Sequence, residues 1–287
     1  MRAQARMKFI RSTSLRNSFK RTAEYVYPFV VDALKYVFAE MEYLPRGWYV
    51  LEGWNDQSVA DGQERHWPTL VNNLKGPEPL GVSHSPWHNT RENRGDHNIM
   101  MSYGYVLGLA TRNKNRLSIL DWGGGVGHYY LYTRALLPEV EIDYHCYDLP
   151  NLCRLGRKLR PEAQLHDVEK DALEREYDLV VSSSSLHYFE DWRGVIRKLA
   201  PVTGEFLYVS RLQTVTQAAS FVVVHRPFRA GYTEFLSWCI NRQEFLRFVQ
   251  ECGLELVREF VFAEQWTIRG APEKGDCRGF LFRRPSR

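Results

Sequence analysis

An α/β fold is what this 287-residue sequence predicts: a doubly wound, mainly parallel sheet of seven strands with an N-terminal helical extension. Two observations carry that expectation. From residue 116 onward, short apolar runs alternate with amphipathic stretches, the pattern of strands covered on both faces by helices. In addition, "SILDWGGGVGHYYLY" (Ser118 to Tyr132) ends an apolar run in three consecutive glycines and passes at once into a helix-compatible segment. Glycine is needed where a chain reverses sharply or where a ligand must approach the backbone without a Cβ in the way. The start of the following helix offers N–H groups with no partner in the helix, so a ligand is expected at the carboxyl end of the first strand.

Taken in order, residues 1 to about 45 read as helical, with Pro45 and Gly47 as the stop. Residues 46–95 scatter Trp48, Trp54, Trp67 and Trp87 among Gly, Pro, Asn and His without sustained periodicity, so an irregular segment is expected. A helix over 97–113 leads into the first strand. Strands are expected at 116–122, 141–147, 163–167, 177–183, 204–210, 254–263 and 277–283, and helices at 126–137, 150–160, 190–200 and 241–252. The last two strands lack a helix between them, which makes the final one antiparallel at or near an edge. The division is an extension over 1–95 and a ligand-binding domain over 96–287, with a lid-like insertion at 211–240.

Composition narrows the function. Hydrophobic residues make up 44% and charged residues 25%, as in soluble globular enzymes, and a net charge of +4 is too small to imply a nucleic-acid partner. Five cysteines without a Cys-x-x-Cys pair read as reduced thiols of a cytoplasmic protein. Arg2, Arg6, Lys8, Arg11, Arg16, Lys20 and Arg21 all precede the first acidic residue, Glu24. That start reads as a basic arm leading into a packed helix, with contact to an anionic membrane surface or an organellar transit peptide as the other readings.

The glycine turn belongs to D-x-G-x-G-x-G, formed by Asp121, Gly123, Gly125 and Gly127. A dinucleotide fingerprint begun at Gly123 wants glycine where His128 stands, and no Gly-Lys-Ser/Thr ending of a phosphate loop is present. An acid before the turn suits a ligand bearing an ammonium. Asp148 ends the second strand, where a carboxylate accepts the hydrogens of a ribose diol, and Asp167 ends the third, with Val168 offering backbone to an adenine. Each acid alone is no more than a strand-end or cap residue. Together, in register with the turn, they define one crevice for S-adenosylmethionine.

These residues resemble a class I S-adenosylmethionine-dependent methyltransferase over about 97–283, with "DWGGGVG", "YDLP" and "YDLVVSSSSLHYF" carrying the likeness. The resemblance implies a Rossmann-like sheet of order 3-2-1-4-5-7-6. It implies that Asp121 and the glycines hold the methionine part, Asp148 with Leu149 the ribose, and Asp167 with Val168 the adenine. Ser183 and Ser184 would lie near the sulfonium. More narrowly, "HNIMMSY", "DWGGGVGHYY", "SSSLHYFEDW" and "HRPF" are similar to a bacterial methyltransferase family encoded among surface-polysaccharide and lipopolysaccharide genes.

Methyl transfer to a hydroxyl benefits from a base. His187, in "SSSLHYF", is expected on the acceptor side, and His128 begins the helix after the turn, where the helix N-terminus favours a neutral imidazole. Either ring has a plainer alternative, bonding backbone or lining the cofactor pocket. His84, His88, His66 and His97 form no metal-ligand pattern, so no metal is expected. In the insertion, Arg211, His225, Arg226 and Arg229 sit among aromatics; this is either packing over the sheet end or at a homodimer contact, or a lid for an anionic or carbohydrate acceptor. The turn "SSSSLHYF" lacks the Pro-Pro-aromatic feature of base-amine methyltransferases, which argues against DNA or RNA substrates. The functional expectation is O-methylation of a small-molecule or carbohydrate-type acceptor. A catalytically silent cofactor-binding or membrane-docking module and an NAD-dependent oxidoreductase are the rivals.

Overall fold

The computed structural model describes residues 40–51, 53–81, 92–226 and 233–285. Its strands are β1 (Met41–Tyr43), β2 (Arg116–Trp122), β3 (Glu141–Tyr147), β4 (Gln164–His166), β5 (Tyr177–Ser183), β6 (Thr203–Val215), β7 (Phe221–His225), β8 (Phe235–Asn241), β9 (Glu255–Trp266), β10 (Ile268–Arg269) and β11 (Gly275–Arg283). The helices are α1 (Gln57–Asn73), α2 (Arg94–Ala110), α3 (His128–Leu136), α4 (Pro150–Leu159), α5 (Glu169–Ala172), α6 (Trp192–Val202) and α7 (Arg242–Glu251).

The seven expected strands lie side by side as β4-β3-β2-β5-β6-β11-β9, which in their own sequence order is 3-2-1-4-5-7-6. β2 through β6 are parallel to one another, and β11 runs antiparallel between β6 and β9. Successive residues of β2 face opposite cores. Leu117 and Ile119 join the cluster under α1 to α4, while Leu120 and Trp122 join the one under α6 and α7. That two-sided burial explains why the strands read as near-continuous apolar runs.

The sheet has eleven strands, however, not seven. Past the end of the β5 pairing, β6 takes β8 as a parallel neighbour, and β7, β1 and β10 extend the sheet beyond it. Two of these strands come from the insertion, where the β-branched "FVVVH" pairs antiparallel with Phe235–Asn241. The segment around residue 42, expected to be helical, is the strand β1. The basic arm before it lies outside the described residues.

A second correction concerns 46–95, which contains the 17-residue helix α1. Asp56 caps it, its side chain accepting from the Ser58 N–H at 2.8 Å. Val59, Ala60, His66, Trp67 and Leu70 form its buried face. Gly62 and Pro68 inside the helix hide that spacing in the sequence. His84 and His88 lie outside the described residues. All five cysteines are thiols, and among the described residues no helix is long and apolar enough to cross a membrane.

Candidate active site

The glycine turn follows directly on β2, whose penultimate residue is a buried acid. Asp121 is fully buried, and the Tyr144 hydroxyl of neighbouring β3 donates to its Oδ2. Its other oxygen, Oδ1, is buried with no hydrogen-bond partner among the described residues. A Cβ on Gly124 would stand 2.2 Å from Asp121 Oδ2, so the middle glycine makes room for the acid beneath it. Gly127, at φ 86°, sets the left-handed step that opens α3. Burial pushes the Asp121 carboxyl up to about 7, against the pull of Tyr144 and with the help of nearby Asp148.

Asp148 ties the turn to the next strand. It accepts the Gly125 N–H at 2.6 Å and the Leu149 N–H at 2.7 Å. Burial raises it to about 6 even though both bonds favour its charged form. Each of its oxygens accepts one backbone bond and retains a lone pair for a ligand. On the far side of β2, the β5 strand ends in serines. Ser183 Oγ lies 2.5 Å from the Tyr129 hydroxyl, and Ser184 takes a positive φ of 52° while its N–H donates to the Ser210 carbonyl at 2.9 Å.

Gly123, Gly124, Gly125, Asp148, Ser183 and Ser184 line one cavity of about 380 Å³ over the carboxyl ends of β2, β3 and β5. That lies within the range of about 300–1,000 Å³ typical of small-molecule sites. One side holds the glycines, Asp148, Leu149, His128 and the serines; the other is a wall of aromatic rings. Trp54 packs 5.1 Å from Tyr188 and 5.0 Å from Phe235, and Tyr188 meets Phe235 edge-on at 5.3 Å. Over the turn, α1 contributes Gln63, whose buried Oε1 has no donor among the described residues.

The expected residues are only partly brought together. Gly123, Gly125, Asp148, Leu149, Ser183, Ser184 and His128 line the cavity, with Asp121 and Gly127 directly behind the turn. Asp167 and Val168 are not among its lining residues. The Arg157 guanidinium pairs with Asp167 at 3.2 Å and holds its carboxyl below the usual range, and Val168 is 53% exposed. His187, expected to face the acceptor, is instead 1% exposed and sits behind the wall, 4.1 Å from the Tyr188 ring. Neither of its nitrogens has a hydrogen-bond partner among the described residues, and burial holds its pKa far down. The reason is local: in a single 3-10 turn (Leu186–Tyr188) adjacent side chains diverge, and Tyr188 takes the cavity side. His128 is buried beside Trp67 and bonded to the Gly124 backbone; burial drives its pKa down to about 3.

Of the insertion residues, His225 is 2.8 Å from Ser237 Oγ, and Arg226 pairs with Glu42 and, at 3.1 Å, with Glu234. Arg229 lies outside the described residues, and Arg211 lines the cavity. Gln63, Trp54, Tyr144 and Phe235 carry no local sequence signal. Glu190, which also lines the cavity, is adjacent to the expected "SSSLHYF" turn.

A family model described as "Methyltransferase domain" matches residues 103–259. The chain belongs to that family. This methyltransferase resembles a proposed sarcosine dimethylglycine methyltransferase from Galdieria sulphuraria, with TM-score 0.50 and 13% identity, covering 78% of this chain and 98% of that one. A magnesium protoporphyrin IX methyltransferase from Synechocystis, solved with bound S-adenosylmethionine, aligns with TM-score 0.46 and 13% identity over 80% of this chain and 98% of that one. The 1,6-didemethyltoxoflavin-N1-methyltransferase of Burkholderia thailandensis aligns with TM-score 0.47 and 12% identity over 86% and 95%. At such identities the likeness is one of fold. No curated protein matches the chain.

Proposed function

We propose that this methyltransferase takes S-adenosylmethionine in the crevice and methylates an oxygen of a small-molecule or carbohydrate-type acceptor held against the aromatic wall. The observation that supports it best is the paired orphan acceptors at the glycine turn. Asp121 Oδ1 and Gln63 Oε1 are both buried without donors among the described residues, which is the chemistry an ammonium needs. Bound there, the sulfonium supplies a methyl group activated for in-line displacement.

The chain's own residues hold and align. Asp121 and the glycine backbone take the ammonium end, and Asp148 with Leu149 beside it takes the ribose hydroxyls. Asp167 and Val168, at the end of β4, remain the proposed adenine edge once Arg157 gives way. Ser183 and Ser184 flank the reacting centre. His128, neutral and on the cavity wall, is the better placed of the two candidate bases. With a pKa of about 3 it is a weak one, so alignment carries most of the rate. The likeness of "HNIMMSY" and "SSSLHYFEDW" to methyltransferases encoded among surface-polysaccharide genes bears on the fold more than on the acceptor, and a carbohydrate is one of the acceptor classes proposed.

The test is calorimetric titration with S-adenosylmethionine, S-adenosylhomocysteine and NADH, followed by assay of S-adenosylhomocysteine release across a panel of sugars and hydroxylated small molecules. Micromolar binding of the sulfur ligands and no response to NADH is expected. Folded protein that binds neither sulfur ligand overturns the reading. Binding without turnover on any acceptor favours the catalytically silent module.

A further inference from the structure

The conformation of Arg211 is set by an irregularity in the sheet. Along β6, Val209 faces Phe280 and Leu212 faces Arg278 on β11, so Ser210 and Arg211 together oppose the single residue Gly279. This is a β-bulge, and Arg211 sits in it at φ 56°, a left-handed conformation that an arginine adopts only under constraint. The bulge falls where β6 changes partners. Its parallel pairing with β5 ends at Ser210, and its pairing with β8 begins at Thr214. Between those points the edge of β6 is released from the sheet, and the cavity opens there. Strain of this kind is kept where surrounding structure enforces it, commonly beside a functional site.

Among the described residues that line the cavity, Arg211 is the one arginine or lysine. Its charge reaches both sides of the cavity. After burial, it is among the influences lowering the pKa of His128 at the glycine turn and of His187 behind Tyr188. The other basic residues of the insertion within the described residues do not line the cavity: Arg226 pairs with Glu42 and Glu234, and His225 lies against Ser237. Tyr188, Phe235 and Trp54 line the same cavity, rings that present flat apolar surface.

We propose that Arg211 binds a carboxylate or phosphate carried by the methyl acceptor, while the Trp54–Tyr188–Phe235 wall takes the flat face of the same molecule's ring. The proposal rests on the methyltransferase reading of the cavity and names its acceptor class: an anionic ring compound, aromatic or sugar. A planar guanidinium with two parallel donors matches the two oxygens of such a group. The cofactor itself carries a carboxylate, so the test must separate the two sources.

Wild-type, Arg211→Gln and Arg211→Lys proteins are titrated first with S-adenosylhomocysteine. The saturated proteins are then titrated with matched pairs: 4-hydroxybenzoate against 4-hydroxybenzamide, glucuronate against glucose, and glucose 6-phosphate against glucose. The expected result is an at least tenfold preference for the anionic member of one pair in wild type. That preference disappears in Arg211→Gln and shrinks in Arg211→Lys, with S-adenosylhomocysteine affinity changed less than threefold. No anionic preference in any pair overturns the proposal. So does a tenfold or greater loss of S-adenosylhomocysteine affinity in Arg211→Gln, which assigns the guanidinium to the cofactor's carboxylate. Wild type that binds no S-adenosylhomocysteine overturns the cofactor reading beneath it, a distinct result read in the first titration. Thermal melts confirm that the variants fold. Weakening of the anionic probe with added salt in wild type gives an independent readout if Arg211→Gln does not fold.

Discussion

Replacing Asp148 with asparagine should separate what this carboxylate does for the fold from what it does for the ligand. Burial lifts its pKa from an ordinary 3.8 to about 6, even with the Gly125 and Leu149 N–H groups donating to it. That rise is worth roughly 3 kcal/mol in favour of the neutral form. The sign follows from proton counts: between pH 4 and 6 the folded protein holds a proton that the unfolded chain has released, so stability falls as pH rises through that window. Above pH 6 the full penalty is present, and below pH 4 it is absent. Asparagine is neutral and nearly isosteric but turns an amide N–H₂ toward one of the two backbone donors, which gives back about 1–2 kcal/mol. Ligand-free Asp148→Asn should therefore match wild type or exceed it by about 1–2 kcal/mol in urea unfolding at pH 8, with the difference falling toward or below zero at pH 4. The same variant should bind S-adenosylhomocysteine about ten- to a hundredfold more weakly, having lost a charged acceptor for the ribose diol. Destabilisation by more than about 2 kcal/mol at pH 8 with ligand affinity intact would refute the reasoning and make Asp148 a structural brace.

Further outcomes follow from the same groups. With its carboxyl at about 7, Asp121 should be near half-protonated at neutral pH, so capture of an ammonium should release roughly half a proton at pH 7. Calorimetry with S-adenosylmethionine in buffers of different ionisation enthalpy reads this directly, and a buffer-independent heat contradicts it. Gly124→Ala forces a Cβ onto the Asp121 carboxylate and should cost about 1–3 kcal/mol together with most ligand binding. Gly108→Ala, on an open face of α2, should gain about 0.5–1 kcal/mol in the same melts. His187→Leu removes two buried nitrogens without partners among the described residues and should leave the melting temperature unchanged or raised. A hundredfold fall in kcat for that variant, with cofactor affinity kept, would instead make His187 catalytic.

Much of the glycine-turn side of the cavity was legible because it is local. The glycines follow their strand directly, and Asp148 needs only the end of an apolar run to be located. Gln63 was not legible, since Gly62 and Pro68 interrupt the helical pattern of α1 and nothing near it signals the packing of that helix over the glycine turn; Trp54 precedes the helix, and its ring partners Tyr188 and Phe235 lie far along the chain. The same limit applies to Asp167. Its position at a strand end is local, but its pairing with Arg157 depends on how α4 packs beside β4. The strands added by the insertion left a trace in "FVVVH", whose β-branched run is strand-like before any partner is known.

Sequence alone determined that a doubly wound sheet would end its first strand in a glycine turn flanked by acids, because strand periodicity and glycine's freedom act within a few residues. Tertiary structure decided the rest: which of His187 and Tyr188 meets the cavity, which rings wall it, and that Arg211 lines it from a bulge. That bulge arises only because β6 is paired on one edge with β11 while its other edge passes from β5 to β8. Those neighbours lie far apart along the chain, so no local pattern encodes the direction in which the arginine points.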